Sequence, residues 1–253
     1  MRKLAFVPLG LSVTLGLATA AFAEEAKLPS EQWSFDGVFG TYDRAALQRG
    51  FQVYKEVCSA CHAVKELYYR DLTALGFSEE EVKALAAQVQ VTDAEPNDQG
   101  EMVQRPGRPS DPIVRPFAND KAARAANNGA LPPDLALITK AREGGPDYIF
   151  GLLTGYAPPP ADMKLGQGMN YNMHFPGHQI AMPPPLNEGA VTFADNTPAT
   201  VKQMAHDVVT FLSWAAEPNL EDRHRTGVKV MAFLLICAGV FYGIKRKIWA
   251  DLH

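Results

Sequence analysis

Cysteine is scarce in this chain, which has three cysteines among 253 residues. Cys58 and Cys61 are separated by two residues, and His62 follows at once, whereas Cys237 lies in an apolar stretch near the C-terminus. A structural zinc site needs four ligands. Because Cys237 cannot join a polar metal site from within an apolar stretch, the scarcity of cysteine argues against zinc at Cys58 and Cys61.

The chain also lacks sustained two-residue alternation of apolar and polar residues, and it has no internal repeat. The first absence argues against an extended sheet and the second against a repeat architecture. Proline and glycine crowd residues 96–112, 129–146 and 155–189, which indicates long loops. We therefore predict a mostly α fold with long loops, in which short hairpins within the insertions are the exception.

Positive charge is in deficit over residues 24–218, which carry 16 Lys and Arg against 25 Asp and Glu. An acidic surface repels nucleic acid and raises the encounter rate with a basic soluble partner. A merely solvated acidic surface gives the same count. The densest acidic stretch is a candidate docking patch and comprises Glu79, Glu80, Glu81, Asp93, Glu95, Asp98 and Glu101.

The run from Cys58 to His62 has the C-x-x-C-H spacing of covalent haem c attachment. The two thiols add to the porphyrin vinyl groups, and the imidazole that follows becomes the proximal iron ligand. A thioredoxin-like dithiol has the same C-x-x-C spacing, but it lies between a strand and a helix. Here the preceding residues 43–57 place Leu47, Phe51 and Tyr54 at helical spacing, so the sequence favours a haem c.

The N-terminus has the features of a secretory signal peptide. Arg2 and Lys3 precede an apolar core over residues 4–20, and Ala21, Phe22 and Ala23 form an A-x-A cleavage site. An uncleaved membrane anchor is the alternative, and the small residues of the cleavage site argue against it. Export agrees with the haem motif, because bacteria attach haem c outside the cytoplasmic membrane.

Residues 226–244 form a second apolar stretch of 19 residues with one charge, Lys229. At about 1.5 Å per residue it nearly matches a hydrocarbon core of about 30 Å. The alternative is a buried helix of a soluble domain, but the cations 245–247 follow at once and Trp249 stands at interface depth. We predict one transmembrane helix, with the body outside and the tail inside.

These signals divide the chain into five segments. They are a signal peptide (1–23), an exported domain (24–218), a linker (219–225), a transmembrane helix (226–244) and a cytoplasmic tail (245–253).

Two further helices are predicted within the exported domain. One begins near residues 195–198, with Thr197 as N-cap and Pro198 in the first turn, and it ends near Ala215. The other spans residues 79–88 with Ser78 as cap. Gly50 in the helix 43–57 permits close packing at that point.

The sixth iron ligand decides between electron transfer and chemistry at an open site. The body offers these donors: Met102, Met163, Met169, Met173, Met182, Met204, His174, His178 and His206. Met182 stands out because three prolines follow it and Gly177 precedes it, which restricts the backbone around the thioether. His178 and His174 come next, whereas Met204 is expected to be a core residue of an amphipathic helix.

Several stretches together resemble the cytochrome c1 family. They are Cys58 to His62, the run Ala122 to Leu135 with its two prolines, Leu152 to Tyr156, Phe175 to Gly177, Met182, and Trp214 to Pro218. The similarity covers nearly all of the mature chain. The simple secretory signal indicates the bacterial form of the family.

The resemblance implies one haem held covalently by Cys58 and Cys61, with His62 and Met182 as axial ligands. Such a pair raises the reduction potential relative to two histidines. Arg142 matches an arginine near a haem propionate, and Asn127 and Tyr148 match polar contacts of the pocket. A capping or core hydrogen bond is the alternative role for these three residues.

The resemblance further implies an electron-transfer subunit of ubiquinol–cytochrome c reductase, in a dimeric complex of the bacterial inner membrane. A Rieske iron-sulfur protein, reduced by quinol at cytochrome b, would deliver one electron, and a cytochrome c would accept it; no quinol chemistry is expected on this chain. The alternatives are an anchored haem subunit of another respiratory complex and a haem enzyme or gas sensor with an open sixth site. Some bacterial relatives carry a disulfide near the methionine loop, but Ala157 follows Tyr156 here and no cysteine is nearby.

Overall fold

The computed structural model of the chain describes residues 27–93 and 95–252. The predicted signal peptide lies outside the described residues. The fold is mostly α-helical, as expected, with two two-stranded antiparallel hairpins among the described residues. The helices are α1 (Arg44–Glu56), α2 (Glu79–Ala87), α3 (Asp120–Ala126), α4 (Ile138–Ala141), α5 (Gly145–Thr154), α6 (Val201–Ala216) and α7 (Leu220–Ile248). Strands β1 (Gln90–Thr92) and β2 (Gln104–Pro106) form one hairpin, and β3 (Asn170–Tyr171) and β4 (Gln179–Ile180) form the other. Short 3-10 turns span Cys58–Ala60, Tyr69–Leu75, Pro176–His178 and Ala250–Leu252.

The centre of the fold is the packing of α1 against α6. Gly50 lies at the crossing, where an added Cβ would stand 2.0 Å from the Asp207 carbonyl oxygen. Only a residue without a side chain allows the two backbones to approach this closely. Phe51 and Tyr54 of α1 then reach Phe211 of α6, with ring centroids 5.6 Å apart in each case. The close packing expected from Gly50 is confirmed.

A buried ion pair joins the same two helices. The Arg49 guanidinium donates to both carboxylate oxygens of Asp207 at 2.7 and 3.2 Å, and it also reaches Asp195 at 2.8 Å. The Asp207 side chain is fully buried. Burial alone would raise the pKa of Asp207, but hydrogen bonds from His206, Arg49 and Gln203 outweigh it and hold the pKa below its ordinary value.

The segment before α1 covers α5 and α6. Trp33 stacks on His206 of α6 at 4.9 Å and meets Phe150 of α5 edge-on at 6.1 Å. Its indole nitrogen donates to Asp147 Oδ1 at 2.8 Å. This packing covers the core beside α5 and α6, and it holds the His206 ring against Trp33.

Helix α6 begins later than the sequence predicted. Thr197 donates its backbone N–H to Asp195 Oδ1 at 3.0 Å, and Asn196 has a φ of 60°, so these residues form a turn. The N-cap is Thr200, whose hydroxyl accepts from the Gln203 N–H at 3.1 Å. The prediction of Thr197 as N-cap was wrong, because the Asp195 carboxylate accepts the Thr197 N–H and holds this segment in a local turn.

Helix α7 runs without a break through the predicted linker and the predicted membrane span. Residues 220–225 are helical, because the sequence has no proline or glycine there and Glu221 and Asp222 favour a helix N-terminus. None of its apolar window is buried within the chain. The alternative of a buried core helix is therefore not supported, and α7 is long and apolar enough to span a membrane.

A polar clasp ties the start of α7 to the domain. Arg44 donates to both oxygens of Glu221 at 3.0 and 2.8 Å, and the Tyr42 N–H donates to the same carboxylate at 2.8 Å. His224 Nδ1 lies 3.1 Å from the Gly40 carbonyl oxygen. Glu217, just before α7, pairs with Arg223 at 2.6 Å. Several bonds from different segments thus fix the direction in which α7 leaves the domain.

Candidate haem-binding site

The motif residues form a tight turn directly after α1. The backbone N–H groups of Cys61 and His62 both donate to the Cys58 carbonyl, at 3.1 and 2.9 Å. The Ser59 hydroxyl donates to the Lys55 carbonyl at 2.7 Å and joins the turn to α1. Side chains three and four positions apart share one face of a helical turn. The turn therefore presents two thiols and one imidazole together.

The His62 ring is oriented by the carbonyl of Pro133, whose oxygen lies 2.7 Å from Nδ1. A carbonyl only accepts, so Nδ1 carries the proton and Nε2 keeps its lone pair for a metal. Burial lowers the pKa of His62, although the bond to Pro133 and the charge of Asp134 act in the opposite direction. The Tyr54 hydroxyl fixes the backbone by donating to the His62 carbonyl at 3.1 Å. The neutral imidazole is the form that ligates iron.

The residues around Pro133 run alongside the motif. The Leu135 N–H donates to the Ala63 carbonyl at 2.8 Å, and the Lys65 N–H donates to Asp134 Oδ2 at 3.0 Å. Asp134 Oδ1 accepts from the Ala136 N–H at 2.9 Å and so holds its own loop. Sequence reasoning treated the two prolines here as marks of resemblance and missed that one of them orients His62. The Pro-Pro-Asp run was the available signal, because proline fixes φ and leaves only a carbonyl.

The two motif thiols differ in their surroundings. Burial raises the pKa of Cys58 to about 12, which keeps its sulfur uncharged, whereas Cys61 is exposed. A thioether has no ionisable proton, so attachment to a porphyrin suits the environment of Cys58 better than thiolate chemistry does. No group of three or more His, Cys, Asp and Glu within residues 27–93 and 95–252 could hold a metal ion. Two thiols followed by an imidazole are the groups that covalent haem attachment uses.

Met182 lies on a loop that is held by side chains. Its carbonyl accepts from the Tyr156 hydroxyl at 3.1 Å and from Asn170 Nδ2 at 3.4 Å. Both donors, together with Met169 and Pro184, line a cleft of about 500 Å³ beside this loop. The three prolines after Met182 restrict the backbone further. The bonds that fix Met182 and those that fix His62 come from separate sets of residues.

Asn172 organises the methionine loop from its interior and is fully buried. Its Oδ1 accepts from the backbone N–H groups of His174 and Phe175 at 3.0 and 3.2 Å, and its Nδ2 donates to the Leu152 carbonyl at 2.8 Å. Sequence reasoning missed Asn172, Tyr156 and Asn170. An asparagine among aromatic, glycine and proline residues was the only signal.

Three of the other candidate ligands, His178, His174 and Met204, are engaged in packing. The His178 ring contacts Tyr171 at 5.8 Å, and its Nδ1 lies 3.3 Å from the Asn172 carbonyl oxygen. The His174 ring lies against Gly155, where an added Cβ would stand 2.7 Å from its Cδ2. Met204 is fully buried within α6, as expected of a core residue.

The predicted pocket residues fall into two groups. Arg142 is exposed. Burial raises the pKa of Tyr148, and the charge of Arg142 opposes this rise, so the two residues are close enough to interact. Asn127 ends α3, where its Nδ2 donates to the Ala123 carbonyl at 2.8 Å. Asn127 thus forms the capping bond that the sequence left open as an alternative.

The cysteines of the described residues are all free, so no disulfide supports the methionine loop.

Part of the acidic patch is neutralised by a cation or used to cap a helix. Asp93 lies 3.4 Å from Arg105, and Glu81 forms a capping box with Ser78 at the start of α2. The acidic stretch overlaps the hairpin of β1 and β2, one of the two short hairpins of the described residues.

The fold and this site together define a c-type cytochrome domain with long loops, carried by one helix long enough to cross a membrane. The chain belongs to the cytochrome c1 family, whose model matches residues 33–252. Membership in this family implies a haem cofactor.

Relatives from bacteria and from mitochondria are about equally similar. The chain is 47% identical to cytochrome c1 of Rhodospirillum rubrum, over 99% of this chain and 97% of that protein. It is 49% identical to a mitochondrial cytochrome c1 haem protein of Arabidopsis thaliana, over 98% of this chain and 83% of that protein. It is 47% identical to the mitochondrial cytochrome b-c1 complex catalytic subunit of Candida albicans, over 88% and 78% of the two chains.

Proposed function

We propose that the chain is the haem-bearing electron-transfer subunit of a cytochrome bc1 complex and carries one covalently attached haem c. The observation that carries the proposal is the geometry at His62. There an attachment motif presents two sulfurs beside an imidazole whose Nδ1 proton is held by Pro133 at 2.7 Å. The names of the relatives, a cytochrome c1 and a cytochrome b-c1 complex subunit, support the assignment to this complex.

Each residue has a distinct role in this proposal. Cys58 and Cys61 would hold the haem through two thioether bonds, and His62 and Met182 would ligate its iron. When bound, the haem supplies a one-electron iron couple. Arg142 and Tyr148 offer a cation and a phenol donor to propionates at the pocket edge, and Asn127 offers a polar side chain at the end of α3.

The chain contributes position rather than bond chemistry. Pro133 keeps the Nδ1 proton in place and leaves the Nε2 lone pair free to ligate iron. The methionine loop would supply the second iron ligand, and an iron with both ligands favours electron transfer over binding of a small molecule. The chain receives its electron from a Rieske iron-sulfur protein that is reduced beside cytochrome b. It passes the electron to a cytochrome c. The domain faces the periplasm, and the tail after α7 faces the cytoplasm.

Purification of the native detergent-extracted complex with optical redox titration of its haems tests this function. We expect a Rieske protein, a di-haem cytochrome b and one haem c that titrates as a single one-electron centre without binding carbon monoxide at neutral pH. A complex without a Rieske protein or cytochrome b would point to another respiratory assembly. A ferrous spectrum shifted by carbon monoxide would point to an open sixth site.

A further inference from the structure

Two apolar side chains at the tip of a turn before α1 are unusually exposed. Val38 is 66% exposed and Phe39 is 82% exposed, the highest values among the large apolar side chains described outside α7. A single exposed apolar residue is ordinary on a protein surface. Two adjacent ones at the tip of a structured turn indicate a contact surface.

The turn itself is well ordered by its own backbone. The Gly40 N–H donates to the Gly37 carbonyl at 3.3 Å, and the Thr41 N–H donates to the Ser34 carbonyl at 3.0 Å. Gly37 has a φ of 77°, which glycine adopts without strain. Phe35, at the base, is buried and stacks on Trp33 at 5.6 Å. The base is therefore anchored in the core while the tip projects outward.

The turn is attached to the membrane helix at the point where that helix approaches the bilayer. The carbonyl of Gly40, the residue after Phe39, accepts from His224 Nδ1 at 3.1 Å. His224 precedes the apolar stretch, which begins at residue 226, by two residues, or about 3 Å along a helix. The headgroup layer on each side of the hydrocarbon core is about 5–8 Å thick. The backbone beside Phe39 thus lies at the level of this layer.

The charges nearby agree with a membrane surface. Arg223 and Arg225 flank His224, and their side chains are 60% and 68% exposed, with Glu217 2.6 Å from the first and Asp222 3.7 Å from the second. Exposed cations next to an aromatic side chain are typical of the border between hydrocarbon and headgroups.

We propose that the Val38–Phe39 tip is a second membrane contact of this chain and inserts into the lipid interface beside the start of α7. With α7 it gives the domain two points of support on the bilayer instead of one. This inference rests on the membrane anchor alone and is independent of the proposed electron-transfer function.

The test places the photoreactive residue p-benzoylphenylalanine at position 39 of the full chain in its native membrane. After illumination, we expect lipid-mass adducts on the tryptic peptide 28–44. The matched control carries the same residue at position 102, where Met102 is 56% exposed near the β1–β2 hairpin, and should form at least tenfold fewer lipid adducts. An unchanged haem spectrum verifies folding in both variants.

Either of two results would overturn the proposal. Cross-linking of position 39 mainly to another polypeptide would show that the tip is a protein interface. A lipid-adduct yield no higher at position 39 than at position 102 would show that the tip stays in water.

Discussion

The histidine side and the methionine side of the site are built in different ways. His62 follows α1 without a loop, and its position derives from backbone bonds, the Tyr54 hydroxyl and the Pro133 carbonyl. Met182 lies in a long proline-rich loop, and side-chain donors fix its backbone. Backbone geometry near a packed helix is costly to disturb, whereas a loop held by a few side-chain bonds opens at lower free energy. The difference predicts that the methionine ligand is lost before the histidine ligand.

The largest expected effect comes from removing the methionine sulfur. Met182→Leu should lower the midpoint potential on the order of 100 mV or more, since axial ligands alone span about 0.8 V across haem proteins. The attachment through Cys58, Cys61 and His62 should survive. Redox titration measures the change, and Met173→Leu in the same loop is the matched control that should leave the potential unaltered. Equal potentials in the two variants would show that Met182 is not the ligand.

Weakening the core between α1 and α6 should cause the largest loss of stability. Arg49→Ala leaves the fully buried Asp207 carboxylate without its cation, and such losses cost about 3–5 kcal/mol. Asp195→Ala removes the exposed partner of the same arginine and should change stability little. Chemical denaturation of the two variants, followed by tryptophan fluorescence, compares them. A small loss in the Arg49 variant would mean that His206 and Gln203 satisfy Asp207 unaided.

The same ion pair predicts how stability depends on acid. Because the pKa of Asp207 is lower in the folded chain than its unfolded value of about 3.9, its contribution is present above that value. The contribution is lost as the pH falls through the folded pKa. We expect denaturation midpoints to decline below about pH 4 in the parent chain. Asp207→Asn, measured over the same range, should show a shallower decline; identical slopes would assign the acid sensitivity to other carboxylates.

Breaking the methionine loop from inside should act locally. Asn172→Ala removes three side-chain bonds at a fully buried position and should cost about 1–3 kcal/mol, because backbone groups are left unsatisfied. We expect carbon monoxide to bind the reduced haem of this variant, which reports loss of the sixth ligand, before the domain unfolds. Asn187→Ala, at an exposed position in the segment between Met182 and α6, serves as the control. Global unfolding without prior carbon monoxide binding would contradict the separation of the two sides.

The smallest effect is expected from one hydrogen bond. Tyr156→Phe removes the donor to the Met182 carbonyl and should weaken the loop by about 0.5–1.5 kcal/mol. The control is Tyr68→Phe, which removes the hydroxyl of an exposed tyrosine that does not bond to Met182. The rate at which imidazole displaces the methionine from the ferric haem measures loop opening. Equal rates in both variants would mean that the prolines hold Met182 without help.

The parts of the fold that are encoded locally could be predicted from the sequence. Helix α1, the attachment turn, the cap of α2 and the membrane helix each follow from periodicity, spacing or a run of adjacent residues. Helix α5 was missed because glycine and proline at its start are typical of a loop. In the structure Gly144 has a left-handed φ of 79° and stands just before the first turn, which contains Pro146. Pro133 was missed as a partner of His62 because 71 residues separate them. Contacts of that range are decided by packing, which a single sequence does not display.

The clasp at the start of α7 makes the bilayer part of the geometry of the domain. The apolar stretch 226–244 nearly matches a hydrocarbon core of about 30 Å, and helix α7, with 29 residues, continues beyond it at both ends. In a bilayer thinner than the apolar stretch, the helix tilts. Since Glu221 and His224 bond the start of the helix to the domain, a tilt of α7 rotates the domain relative to the membrane plane. Membrane thickness would then set the angle at which the haem edge faces its electron donor and acceptor.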